Sequence, residues 1–371
     1  MKNEEHNLNR QTDRQRQSNF ELLRIFAILI IISHHFALHG GLDLNDNLVS
    51  LNGFWMQFLL IGGKIGVNLF VLISGYFLIN SKELRISKCI KLWLQIEFYS
   101  VIFYVIMSLY KYYVIHSFVF SFKELISVLF PLSNQQWWFA STYFVLFLLH
   151  PFLNKLLKAL YQRQYILFIL LQLIIFSVVP FVFRKASNAN ELLWFVFIYS
   201  LAAYVRLYGV ASYNNWKLCF VMALFAYLLD ALYKWVFLML GFDSTLFSSL
   251  YELPVLIVSL LIFIFFKNLK IKNNKLVNII ASATFGVYLI HENNYIRKLL
   301  KHHIYCKYDM NSSNLIFYSL IVIFAVFVLC TAVELARIYL FERNYMQIIN
   351  KKECTIKSAI NNTIDKLISR I

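Results

Sequence analysis

Residues 20–35 form one apolar stretch with a cation near its start, Arg24, and two imidazoles at its end, His34 and His35. A charge at membrane depth is costly and is kept where it has work to do. Arg24 and His35 are eleven residues apart. In a helix that is three turns plus about 20°, so both lie on one face, roughly 16 Å apart along the axis. His34 points about 80° away from Arg24. A guanidinium holds anions through a planar fork, and a neutral imidazole accepts a proton near neutral pH. Anion binding and proton transfer are the chemistry this track suits, with His35 rather than His34 as the partner of Arg24. The plainer alternative has Arg24 reaching for one interface while the histidines mark the other.

Three further clusters carry polar groups into apolar runs. Residues 62–78 hold Lys64, Gly66, Asn68, Ser74 and Gly75. The glycines suit close helix packing, and Asn68 and Ser74 suit hydrogen bonds between helices. Lys64 has no such ready explanation unless it lies at an interface. Just beyond come Lys82, Arg85, Lys88 and Lys91, a strip that reads as topology signal or as a phosphate site. Trp137 and Trp138 follow Gln135 and Gln136, as in an interfacial belt. Residues 282–292 end on His291 and Glu292, a pair rare inside a span, for which a helix end at the interface is the simpler account.

The elements that must position these groups follow from composition. Of 371 residues, 60% are hydrophobic and 15% charged, and mean hydropathy is +0.62. Soluble domains are nearer half apolar and a quarter charged, which excludes a soluble globular enzyme. Ten apolar runs have lengths near those that cross about 30 Å of hydrocarbon: 20–38, 61–79, 89–109, 137–153, 165–183, 192–207, 218–240, 250–266, 276–296 and 315–341. The expected fold is an all-α, polytopic transmembrane bundle of about ten spans. Residues 1–19 are expected to be a disordered cytoplasmic N-terminus without a cleavable signal, 20–341 the membrane domain, and 342–371 a cytoplasmic tail. Residues 118–131 read as an interfacial or re-entrant helix. No internal repeat is visible.

With the N-terminus inside, 23 Lys and Arg residues fall on cytoplasmic segments and 8 on outer ones, with Arg24, Lys64, Lys234 and Arg337 in spans. That asymmetry predicts both termini in the cytoplasm of a cell membrane. It also accounts for the net charge of +16 without nucleic acid. The outer basic cluster 297–307 runs against the trend, which suits either an anionic substrate or a ninth span that lies elsewhere than 276–296. Cys89, Cys219, Cys306, Cys330 and Cys354 show neither disulfide nor zinc spacing.

Taken in order, these segments resemble acyltransferase family 3, the integral membrane acyltransferases. Arg24 and His35 match that family's pattern of Arg, ten residues, His. Residues 66–76 match its Gly-Val-x-Leu-Phe-x-x-x-Ser-Gly-Tyr signature, and Trp138-Phe139 and 285–291 resemble later landmarks. The resemblance covers about residues 20–340. The chain departs from it after the second span, where Arg85 stands between Lys82 and Lys88 instead of several arginines and a proline. Some members carry an esterase-like domain at the C-terminus. Here about 30 residues follow the last span, so transfer is expected to finish within the membrane domain.

The resemblance implies transfer of an acyl group, acetyl above all, from acyl-CoA to a sugar hydroxyl. The acceptor class is a capsule, another surface polysaccharide or a lipid-linked oligosaccharide in the bacterial cytoplasmic membrane. Acetyl-CoA is then a substrate; no tightly bound cofactor and no metal is expected. His35 is expected as general base, with His34 as the alternative. Arg24 is expected at the donor's phosphate or pantetheine, and Arg85, Lys82 and Lys88 at the nucleotide phosphates. The rival reading is a polysaccharide exporter or a flippase for lipid-linked sugars, because polar residues along a bundle also suit a permeation path.

Overall fold

The computed structural model describes residues 16–40, 49–117, 119–183, 190–209, 215–241 and 250–368. The described residues are helical apart from connecting turns, as the apolar runs require: in hydrocarbon each backbone N–H and C=O must find its partner within the segment. Among the described residues eight helices are long and apolar enough to cross a membrane, and two shorter apolar ones, Leu253–Asn268 and Lys275–His291, fall at the other two expected positions. The chain is a multi-pass membrane bundle.

The helices are α1 (Ser18–His39), α2 (Leu51–Leu78), α3 (Ile86–Tyr110), α4 (Phe122–Leu129), α5 (Trp138–Ala159), α6 (Gln162–Phe183), α7 (Glu191–Tyr208), α8 (Trp216–Met239) and α9 (Leu253–Asn268). They continue with α10 (Lys275–Ser282), α11 (Thr284–His291), α12 (Asn294–His303), α13 (Leu315–Arg337) and α14 (Arg343–Ile368). The most enclosed is α2, flanked by α1, α7, α8 and α9. Small residues permit that. A Cβ on Gly66 would lie 2.7 Å from the Ala27 carbonyl oxygen on α1, and one on Gly75 would lie 2.6 Å from the Tyr199 carbonyl oxygen on α7. Asn68 joins α2 to both flanks, accepting from Trp194 Nε1 at 2.9 Å and donating to Ser259 Oγ at 3.3 Å. By contrast α6 sits at the edge and exposes Leu167, Leu171 and Ile174, the apolar surface that lipid covers.

Charges buried in spans are paired. Lys234 lies 3.2 Å from Asp230 and 3.0 Å from Glu252. Arg337 donates to Glu334 at 2.8 Å and to Glu342 at 2.5 Å, while Tyr99 and Gln95 donate to Glu334. Pro151 within α5 has no N–H for the Phe147 carbonyl, and the His150 ring nitrogen takes that place.

The structure differs from the sequence expectation at the ninth apolar run and adds detail at two other segments. The ninth apolar run, expected as one span over 276–296, is broken at Ala283 into α10 and α11 and turns again before α12. Run 342–371, expected as a tail, is helical to Ile368, because α13 passes through a π-turn (Ile338–Glu342) into α14. There Lys91 holds Glu342, the Ser87 N–H meets Glu353 at 3.3 Å, and Lys357 pairs with Glu83. Within 119–131 the described residues form α4, eight residues, held to α3 by Ser100 and to α12 by Tyr295, whose hydroxyl donates to Glu124 at 2.6 Å. Residues 1–15 of the expected disordered N-terminus lie outside the described residues.

Candidate active site

Helix α1 sets the axis of the site, with Arg24 near one end and His34, His35 and His39 at the other. Three cavities border it. The first, about 620 Å³, is lined by Arg16, Gln17, Glu21, Arg24, Phe77, Asn80 and Arg206. Three guanidiniums face one carboxylate there, and Arg24 lies 3.6 Å from Glu21. Tyr76, the last residue of the 66–76 block, accepts from Arg206 at 3.0 Å and stacks beneath its guanidinium.

The middle cavity, about 390 Å³, includes Arg24, Ser74, Phe77, Lys88, Lys91, Gln95, Tyr143 and Phe147 in its wall. The third, about 260 Å³, includes His34, His35, His39, Lys64, Trp138, Tyr288, Glu292 and Arg297. Arg24 and Phe77 border both the first and the middle cavity. Phe70, Phe139, Thr284 and Phe285 border both the middle and the histidine cavity. The three spaces thus adjoin through shared walls, cationic at the Arg24 end, aromatic in the middle, and titratable at the His35 end. Backbone broken at membrane depth is tolerated where it borders a cavity, and the break before α11 does so at Thr284 and Phe285.

At the far end the partners fix protons. His291 Nδ1 lies 2.6 Å from the Val287 carbonyl, so it carries the hydrogen and leaves Nε2 as an acceptor. That Nε2 is 2.9 Å from His35 Nδ1, which must then donate. Glu292 Oε2, 3.2 Å from the same Nδ1, favours the same tautomer. His35 Nε2 keeps its lone pair and has no hydrogen-bond partner among the described residues. Glu292 is itself held by Arg297 at 2.8 Å and approached by His39 at 3.5 Å. A base, a group that sets its tautomer and a carboxylate that steadies its charged form is the arrangement of an activated acid–base centre.

His34 is placed differently. It is buried with Nδ1 2.5 Å from the Leu60 carbonyl, and Gly63 leaves room for its ring, which a Cβ there would overlap. Of the expected donor-binding residues, the structure brings Arg24 and Lys88 to one cavity. Lys82 and Arg85 are exposed and line none of the three.

Sequence reasoning passed over Arg16 and Arg206 in the cationic region, kept Lys91 only as part of the 82–91 strip, and left His291 and Glu292 as a helix-end pair. Their adjacency was the available signal. His35, His291 and Glu292 also bring three ligand-type atoms within 4.8 Å of one another. Two nitrogens on one tetrahedral zinc would stand about 3.3 Å apart. The observed 2.9 Å is a hydrogen-bond distance and fits a paired base better.

The profile of an acyltransferase domain matches residues 17–335. No curated protein and no solved structure matches the chain. The matched stretch contains every residue named in the three cavities except Arg16. It selects transfer over the exporter and flippase readings. The chain belongs to acyltransferase family 3 and is a membrane acyltransferase.

Proposed function

We propose that this acyltransferase moves an acyl group, acetyl first, from acyl-CoA entering at the Arg24 end to a sugar hydroxyl presented at the His35 end. The acceptor class is a cell-surface polysaccharide or a lipid-linked oligosaccharide. The observation that carries this reading is the adjoining run of cavities, with cations at one end and an unpartnered imidazole nitrogen at the other. The Lys and Arg asymmetry of the sequence puts the Arg24 end at the cytoplasm, where acyl-CoA is found, in a cell membrane with both termini inside.

Arg16, Arg24, Arg206, Lys88 and Lys91 suit the several phosphates of a CoA nucleotide, with charge-assisted bonds from the arginine forks. The aromatic middle suits the thin pantetheine arm, which spans much of the roughly 16 Å between Arg24 and His35. His35 Nε2 takes the proton of the acceptor hydroxyl as its oxygen attacks the thioester carbonyl. The imidazolium so formed is steadied by Glu292 and returns the proton to the leaving thiolate. Lys64 and Arg297 give the histidine cavity a basic wall, which favours an acceptor with an anionic group nearby.

The test is transfer itself. Purified protein in proteoliposomes, given labelled acetyl-CoA and extracted surface glycan or its lipid-linked precursor, is expected to label the glycan with an alkali-labile acetyl. Mass analysis of the glycan from cells lacking the protein is expected to show the matching loss. Unlabelled glycan together with an unchanged glycan mass overturns the reading.

A further inference from the structure

The acid–base centre described above leaves one requirement unassigned. When the acceptor oxygen attacks, the carbonyl π pair moves onto the carbonyl oxygen, and a donor aimed at that oxygen lowers the barrier. Among the described residues that line the histidine cavity, Tyr288 Oη and Glu292 Oε2 make no hydrogen bond, and Glu292 Oε2 still has its ionic contact with His35. A carboxylate only accepts, whereas a phenol donates. Tyr288 is 5% exposed.

The scaffold holds that phenol firmly. Tyr288 stands one helical turn before His291 on α11, with the two rings 6.2 Å apart. Its ring meets Phe139 edge-on at 5.5 Å. Phe139 and Trp138 open α5, whose N-cap residue Trp137 supplies no side-chain hydrogen bond, and both border the same cavity. The positive end of a 22-residue helix and an unpartnered phenol therefore adjoin one space. A buried hydroxyl without a partner is costly to keep, and a ligand oxygen would satisfy it.

We propose that the Tyr288 hydroxyl, with the uncapped amino end of α5, holds the carbonyl oxygen of the acyl group and stabilises the oxyanion of the tetrahedral intermediate. This rests on the acyl-CoA reading. The acceptor oxygen bonds to the carbonyl carbon and its proton passes to His35 Nε2. The carbonyl oxygen takes the π pair and is held by Tyr288. On collapse the carbonyl re-forms, the C–S bond breaks, and the thiolate takes the proton from His35. Tyr288 donates a hydrogen bond throughout and ends with its proton.

Tyr288→Phe separates this role from a structural one, because the hydroxyl it removes donates no hydrogen bond in the resting protein; its oxygen meets only the Phe139 backbone. Wild type and variant are compared in proteoliposomes for kcat, for KM toward acetyl-CoA and for thermal unfolding. The expected result is a kcat lower by about 10²–10³-fold, a nearly unchanged KM, and an unfolding midpoint equal to or above wild type. A kcat within about threefold of wild type overturns the proposal, since a lost oxyanion donor costs far more than that. As a second variant, 3-fluorotyrosine at 288 keeps the ring and changes the acidity of the phenol. It is expected to change kcat, and an unchanged kcat overturns the proposal. If wild type itself shows no acyl-CoA-dependent transfer, the functional reading fails; if wild type is active and Tyr288→Phe equally so, only the oxyanion role fails.

Discussion

His35 Nδ1 and His291 Nε2 lie 2.9 Å apart although 256 residues separate them in the chain. The contact joins the end of α1 to the end of α11 and fixes which nitrogen of His35 is free. A positioned general base contributes about 10²–10⁴-fold in rate, so His35→Ala is expected to lose at least that much acylation at matched protein levels. His291→Ala keeps the base but releases its tautomer, and kcat is expected to fall by about tenfold or more. His34→Ala is expected to act mainly on stability, because His34 holds the Leu60 carbonyl. Side-by-side kcat and thermal unfolding of the three variants checks this. Near wild-type kcat in His35→Ala would remove the centre from the mechanism.

The donor end yields a ranking. Arg206→Ala and Lys88→Ala are each expected to raise the KM for acyl-CoA by about tenfold, the size of one lost charge-assisted bond, with kcat little changed. Arg85→Ala is expected to do less, because Arg85 is exposed and outside the cavities. Arg24→Lys keeps a charge but loses the fork, and its KM is expected to rise too. A larger KM effect at Arg85 than at Arg206 would move the nucleotide site onto the loop before α3.

Gly286→Ala probes how α11 is held. A Cβ there would overlap the Glu334 side chain, which Tyr99, Gln95 and Arg337 pin in place. Overpacking of this kind typically costs about 1–3 kcal/mol. Because α11 carries Tyr288 and His291, the same change is expected to lower kcat along with the unfolding midpoint. Unchanged values of both would mean that the Glu334 network does not position the half-helix.

The orientation is open to a direct check. Reporter fusions after Phe266 and after Lys307 flank the broken run of α10 and α11 and are expected on opposite sides, cytoplasmic and outer respectively. Both on one side would mean that the run re-enters the membrane from one face, and that Arg24 and His35 do not face opposite compartments as proposed.

Much of this was legible in the residues alone. Hydrocarbon forces backbone groups to pair within each segment, so runs of about 20 apolar residues read as helices without tertiary information. The 3.6-residue period put Arg24 and His35 on one face for the same local reason. Gly66 and Gly75 were read as close-packing positions, and the structure sets them against α1 and α7. The family signature needed only the order of short motifs along the chain.

What the sequence left open depends on contacts between distant segments. Nothing local says that His291 meets His35, or that Arg16, Arg206 and Lys91 gather near Arg24, because these residues lie on different helices whose packing decides which faces meet. The break at Ala283 was also hidden, since both halves of the run are apolar and hydropathy does not register a turn. Lys82 and Arg85 resembled Lys88 in charge and spacing, yet only Lys88 borders a cavity. Local sequence determined that this is a helical membrane protein and which α1 residues share a face. Tertiary packing decided which nitrogen of His35 is free, because that proton is set by a neighbour from the other end of the chain.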